Sequence, residues 1–189
     1  MEYNKEFEKK TGIFVWENAI SDRLCIDTIE AFETSPNKFN GKTGGGYSPG
    51  VKNSIDWHID SENLNSKYSK ILEIALCQIK SRYFNLKGTP IFWGGLQMQK
   101  SFKGQGFFKP HTDNDERNLN DARFLAPIFY LNDVLEGGET KFPFQEIEIK
   151  PKAGTLVIFP STWRYFHEGV KPISNDKYII TTFGLTPRN

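Results

Sequence analysis

Gly95-Leu96-Gln97-Met98-Gln99-Lys100-Ser101-Phe102-Lys103-Gly104-Gln105-Gly106-Phe107-Phe108-Lys109-Pro110-His111-Thr112-Asp113 reads as two short strands, 95–102 and 107–111, joined by a glycine-rich turn. The same grammar continues outward. Further strand-like runs lie at 91–93, 123–131, 139–142, 146–149, 154–159 and 178–185, with Pro110, Pro127, Pro143, Pro151, Pro160, Pro172 and Pro187 scattered among them. Proline removes a backbone donor and clashes with the preceding helical turn, so long helices are excluded from this half. Many short strands with regular turn signals indicate a sandwich, a jelly roll or a small barrel.

Upstream the pattern is different. Residues 13–16 read as a short strand, and Ser21 then caps a helix with the apolar stripe Leu24, Cys25, Thr28, Ile29 and Phe32, ended by Pro36. The stretch 35–54 reads as loop. From Ser61, the spacing of Leu64, Tyr68, Ile71, Leu72, Ala75, Ile79 and Tyr83 predicts a long amphipathic helix. The expectation is one domain over 1–189, mainly β with N-terminal helices: a helical layer over about 1–88 on a β core over about 89–187.

Composition excludes several classes. In 189 residues, 38% are hydrophobic and sixteen are Phe, which is too apolar for a disordered chain. The formal net charge of +1 gives a phosphate-backbone partner no support. Cys25 and Cys77 lack metal or redox spacing, and both read as buried thiols on helices. The N-terminus is charged without an apolar h-region, and no run approaches the ~18 apolar residues of a membrane span, so a cytoplasmic location is expected.

Three histidines occur, His58, His111 and His167. In an extended segment residues i and i+2 share a side, so His111 and Asp113 can chelate one ion from adjacent positions. With His167 they form two imidazoles and one carboxylate, the facial triad of non-haem Fe(II) oxygenases, which leaves coordination positions open. His58-Ile59-Asp60 is a second H-x-D pair, but it falls between a glycine-rich loop and a helix start, outside the strand-rich half.

Several segments, in order, resemble the Fe(II)- and 2-oxoglutarate-dependent dioxygenases, and within them the prolyl 4-hydroxylase-like branch. They are Leu96–Lys100 with Gly104-Gln105 and His111-Thr112-Asp113, then Phe129–Val134 with Glu136–Pro143, then Pro151–Phe159, and His167–Ile173 with Lys177-Tyr178. The resemblance covers about residues 95–185. It implies a double-stranded β-helix (jelly-roll) core, with Fe(II) held by His111, Asp113 and His167, and 2-oxoglutarate and O2 as co-substrates. Ascorbate is a candidate reductant. Lys177, ten positions after His167, matches the basic residue that binds the far carboxylate of 2-oxoglutarate, with Thr181 four residues on along the same strand face. One departure stands out: where the branch usually has a Tyr that also holds 2-oxoglutarate, this chain has Ser101-Phe102-Lys103, and only Ser101 offers a hydroxyl.

The implied reaction hydroxylates a substrate while 2-oxoglutarate becomes succinate and CO2. The resemblance favours a peptidyl proline in a peptide or protein. A free amino acid, another small metabolite or nucleic acid is the alternative, and a non-catalytic cupin-like binding domain or a zinc hydrolase the rival class. Trp57, Trp163, Arg164 and Tyr165 are the candidates for a proline-reading surface. The glycine-rich loop 37–60, with Tyr47, Lys52, Asn53, Ser54, Asp56 and Trp57, is a candidate lid.

Overall fold

Over its last six residues, 125–130, the longest described strand, Asp121–Tyr130, divides its side chains between two faces, as a period of two requires. Leu125, Phe129 and then Leu131 turn to one side, and Ala126, Ile128 and Tyr130 to the other. The computed structural model, which describes residues 1–114 and 121–187, uses both faces. On the first, helix α2 (Asp22–Thr34) and helix α3 (Glu62–Arg82) bury Cys25, Phe32, Leu64, Tyr68, Leu72 and Ile79 against Met98, Phe129, Leu156, Ile158 and Ile180. On the second, Ala126, Ile128, Tyr130, Val157 and Phe159 meet Phe142 and Ile149 of a second sheet.

Among the described residues the larger sheet has ten strands. Asp121–Tyr130 lies between Leu156–Pro160 and Lys177–Thr181; Gln97–Ser101, Ile55–His58 and Phe39–Asn40 follow on the Lys177 side, and Phe14–Glu17 and Glu2–Tyr3 on the other. The smaller sheet runs Ile147–Ile149, Thr140–Phe142, His167–Gly169, Phe107–His111, Lys52–Asn53. The pairings within both are antiparallel. Two facing antiparallel sheets around a shared core, with helices on the outer face of one, make a jelly roll of mainly β character.

Local chemistry explains the element boundaries. Ser21 and Ser61 accept hydrogen bonds from Leu24 N and Leu64 N, which caps both long helices. A shorter helix α1 (Lys5–Thr11), absent from the sequence reading, is capped by Asn4 and closed by Gly12 at φ 71°. Its polar seven residues carry too little periodicity to announce it. The run 178–185 is two strands, Lys177–Thr181 and Gly184–Pro187, that pair with Asp121–Tyr130 on either side of a break. Pro127, which has no N–H to give, falls opposite that break.

Three expectations about the first half are corrected. The loop read over 35–54 contains Phe39–Asn40, Lys42–Thr43, Gly46–Tyr47 and Lys52–Asn53 as short strands. The 1–88 segment is not a separate helical layer, since Phe14–Glu17 and Ile55–His58 are strands of the large sheet. Cys77 is exposed, on the solvent side of α3, whereas Cys25 is buried. Among the described residues no helix is long and apolar enough to cross a membrane.

The helix-to-sheet contact centres on Phe129, fully buried with its ring edge-on to Tyr68 at 5.0 Å. Phe129→Ala should lower unfolding stability by about 3–5 kcal/mol, read from urea midpoints. Phe144→Ala, at an exposed ring, should stay within about 0.5 kcal/mol. Equal shifts would show that this interface does not hold the fold.

Candidate functional site

Between the sheets lies a cavity of about 460 Å³, and His111, Asp113 and His167 stand on its wall. His111 ends one strand of the small sheet and His167 begins its neighbour, in direct cross-strand register. The register shifts between Phe108 and His111, where Pro110 interrupts the ladder, and this bulge re-aims the end of the strand. The two imidazole centroids are 4.3 Å apart.

Each ring is fixed by its own backbone. His111 Nδ1 lies 2.8 Å from Lys109 O, and His167 Nδ1 lies 2.9 Å from Tyr165 O. A carbonyl only accepts, so each Nδ1 carries the proton and each Nε2 keeps its lone pair for the cavity. Both Nε2 atoms face Asp113, at 3.7 Å from Oδ1 and 3.7 Å from Oδ2 respectively. Donor atoms from the three residues lie within 4.8 Å of one another, the one such group among the described residues. Burial, reinforced by His167, pushes the His111 pKa down to about 4, so that imidazole is uncharged near neutrality and suited to a cation. Phe108 stacks on His111 at 3.6 Å, while Phe142 and Phe159 flank His167. This donor set, two oriented imidazoles and a carboxylate on one side, fits a transition-metal ion with open positions.

The other H-x-D pair is engaged elsewhere. His58 packs on Phe39 at 4.9 Å, and Asp60 accepts from Asn37 Nδ2.

Lys177 enters the same cavity from the large sheet, 4% exposed, and its Nζ donates to Gly138 O at 2.7 Å. Burial lowers its pKa to about 8, with Glu139 pulling weakly the other way. Ser101 is its cross-strand partner and lines the cavity; Thr181 does too, accepting from Gln99 Nε2 at 3.0 Å. Sequence reasoning missed Thr140, a buried hydroxyl on this wall. It accepts from the Tyr130 hydroxyl at 2.7 Å and keeps its own proton to donate. The Tyr130 ring also lies 5.9 Å from Lys177 Nζ. The alternation across Thr140-Lys141-Phe142 was the available signal. Arg123 lines the mouth, over the Phe183 ring at 3.8 Å, with Nη1 donating to Asp113 O.

The proline-reading candidates fare differently. Trp57 is 2% exposed, packed edge-on to Phe32 beneath the large sheet, and presents no surface; that expectation is corrected. Trp163, Arg164 and Tyr165 form a turn that does not line the cavity. Tyr165 packs inward, its hydroxyl donating to Gly12 O, while Trp163 stands exposed beside Phe144. The stretch 37–60, expected as a candidate lid, is not one loop. Lys42–Tyr47 is a separate two-stranded hairpin at the cavity wall, whereas Ile55–His58 is built into the large sheet.

The sequence model of the 2OG-Fe(II) oxygenase superfamily matches residues 96–184. Among curated proteins, procollagen-lysine,2-oxoglutarate 5-dioxygenase of Drosophila melanogaster is 22% identical over 174 residues, 89% of this chain and 23% of that protein. Prolyl 4-hydroxylase 1 of Arabidopsis thaliana is 30% identical over 127 residues, 54% of this chain and 45% of that one. The chain thus spans less than half the length of either. The solved structure of a Pseudomonas putida prolyl-4-hydroxylase superposes with a TM-score of 0.75 at 17% identity, covering 97% of this chain and 96% of that one, which shows the shared fold. Members of the matched family work with Fe(II), 2-oxoglutarate and O2, the requirements that the histidines, the aspartate and the buried lysine of this cavity suit. The match over 96–184 and the shared fold make this chain similar to the 2OG-Fe(II) oxygenase superfamily.

Proposed function

We propose that this protein hydroxylates a residue of a peptide or protein, proline first, in a reaction dependent on Fe(II) and 2-oxoglutarate. The observation that carries the reading is the pairing, in one cavity, of the His111–Asp113–His167 donor set with the buried ammonium of Lys177. Both curated relatives bear on the substrate: one is a prolyl hydroxylase, the other a procollagen-lysine dioxygenase.

The chain's own parts have separable tasks. His111, Asp113 and His167 hold the metal on one side and leave the cavity side open. When bound, Fe(II) supplies the activation of O2 that couples decarboxylation of 2-oxoglutarate to substrate hydroxylation. Lys177, with Thr140 beside it, grips the far carboxylate of 2-oxoglutarate. Gly138 O and the Tyr130 ring hold that ammonium in place. A hydroxyl from Thr140, and to a lesser degree Ser101 and Thr181, answers for the tyrosine that the strand lacks. The aromatic walls, Phe107, Phe108 and Phe183, exclude water from the reacting centre. Trp163 and Arg164, exposed beyond the cavity, are left to distant parts of a peptide.

Loss of any donor should abolish stoichiometric binding of Fe(II), or of Co(II) as an optical probe. His111→Ala, Asp113→Ala and His167→Ala should all behave so, and His58→Ala should bind as the wild type does. Retained binding in the triad variants would refute the metal assignment.

Lys177→Met separates stability from function. The unfolded chain keeps this proton to about pH 10.4, whereas the folded chain releases it near 8. Stability gained by deprotonation therefore grows between those values, and below pH 8 the whole cost of burying the charge, about 3 kcal/mol at most, is present. Lys177→Met should melt higher at pH 7 and need at least about tenfold more 2-oxoglutarate. An unchanged requirement would remove Lys177 from the co-substrate site. With the wild type, proline-rich peptides should stimulate succinate formation and gain one oxygen by mass. Oxygen added only to a free amino acid or a nucleotide would overturn the peptide reading.

A further inference from the structure

The hairpin-side wall of the cavity holds a second buried lysine, used by neither the metal triad nor the Lys177 end. Lys52 is 3% exposed, and its Nζ lies 2.6 Å from Asp56 Oδ2. Asp56 is fully buried and also accepts from Ser54 Oγ at 2.7 Å and from Gln97 Nε2 at 2.5 Å. Gly41 makes room for the group: a Cβ there would come within 2.2 Å of Ser54 Oγ and 3.2 Å of Asp56 Oδ1. The carboxylate is thus fully engaged and points no charge into the cavity.

Lys52 is in the opposite condition. An ammonium has three N–H donors, and Asp56 takes one. No other acceptor meets Nζ among the described residues, although the side chain lines the cavity. Its Nζ sits 5.5 Å from the centre of the Phe108 ring, and that ring stacks on His111 at 3.6 Å. The donors therefore stand one aromatic ring away from the candidate metal site. A buried ion pair is seldom worth more to stability than apolar side chains of the same shape, so its retention on a cavity wall calls for a ligand. Because Lys52 and Asp56 cancel, the pair does not demand an anion; what it offers is hydrogen bonds to an uncharged acceptor.

We propose that Lys52 is a substrate-binding residue, its ammonium fixed by Asp56 and donating to a backbone carbonyl oxygen of a peptide lying against Phe108. The inference rests on the peptide-hydroxylase reading above. Asp56, Ser54 and Gln97 are positioning residues that act through Lys52. A substrate lacking that carbonyl leaves desolvated donors without a partner, which gives the site its discrimination.

The test uses the full chain loaded with Fe(II) and 2-oxoglutarate, and a ten-residue proline-rich peptide. Lys52→Met should raise the KM for peptide about tenfold, with a much smaller change in kcat, because binding alone is lost. Lys52→Met leaves Asp56 unpaired, so the double variant Lys52→Met/Asp56→Leu, which removes both charges, guards against simple misfolding and should show the same KM. In the wild type, replacing one amide of the peptide by an alkene isostere should cost about tenfold at one position. In the double variant that replacement should cost nothing further. If the wild type hydroxylates the peptide and the double variant keeps its KM, the role of Lys52 is overturned and the peptide reading stands. A raised 2-oxoglutarate requirement with unchanged peptide KM would also overturn it, by assigning Lys52 to the co-substrate. Should the wild type add oxygen to no peptide, both fall together.

Discussion

The cross-strand pairing of His111 with His167 is the constraint on which the site depends. Two segments far apart in the chain each bring one imidazole, and only the antiparallel register of the small sheet sets them 4.3 Å apart. The small sheet cannot hold that register alone. Its strands are three to five residues long at this point, and isolated ladders of that size are marginal in water. What fixes it is Phe142, packed with Phe159 and Val157 of the large sheet, so the apolar seam between the sheets is also the scaffold of the donor set. Backbone carbonyls of Lys109 and Tyr165 then complete the orientation, without recruiting a further side chain.

Two ammonium groups are buried in one cavity on different terms. Among the described residues Lys177 has a carbonyl oxygen and the Tyr130 ring for partners, and burial depresses its pKa. That is a group kept short of a counter-charge, the condition in which a dicarboxylate gains most from binding. Lys52 already has its carboxylate. The two ends of the cavity thus differ in what they ask of a ligand: a negative charge at Lys177, a hydrogen-bond acceptor at Lys52. Strained or charged burial of this kind lowers stability locally and is tolerated where binding restores it.

Much of this was legible in the sequence, and the reasons are specific. His111 and Asp113 were visible because an extended segment puts i and i+2 on one side, and Lys177 because its distance from His167 matched a known pattern. The β half was legible because prolines and glycines mark the ends of its strands. The first half misled for the converse reason. Between Phe39 and His58 strands of two to four residues are interrupted by glycines, too short for any periodicity to register. Asp56 and Trp57 therefore read as exposed loop residues, although one is the buried partner of Lys52 and the other lies under the large sheet. Thr140 was hidden differently: its role comes from Tyr130, ten residues back, across a turn.

The alternation that defines the core also couples it to the site. On Lys177–Thr181 the residues Lys177, Ile179 and Thr181 line the cavity while Ile180 packs beneath the helices. On Gln97–Ser101 the residues Gln97, Gln99 and Ser101 line it while Met98 is core. These two strands pair residue by residue, Lys177 with Ser101 and Ile180 with Met98. A slip of one position would drive Lys177 and Gln99 into the helix-facing core and open Ile180 to the cavity. The register is therefore held by both faces at once, by burial on one and by polar demand on the other. It follows that the packing of α2 and α3 against Met98 and Ile180, remote from any donor atom, is part of what places the lysine.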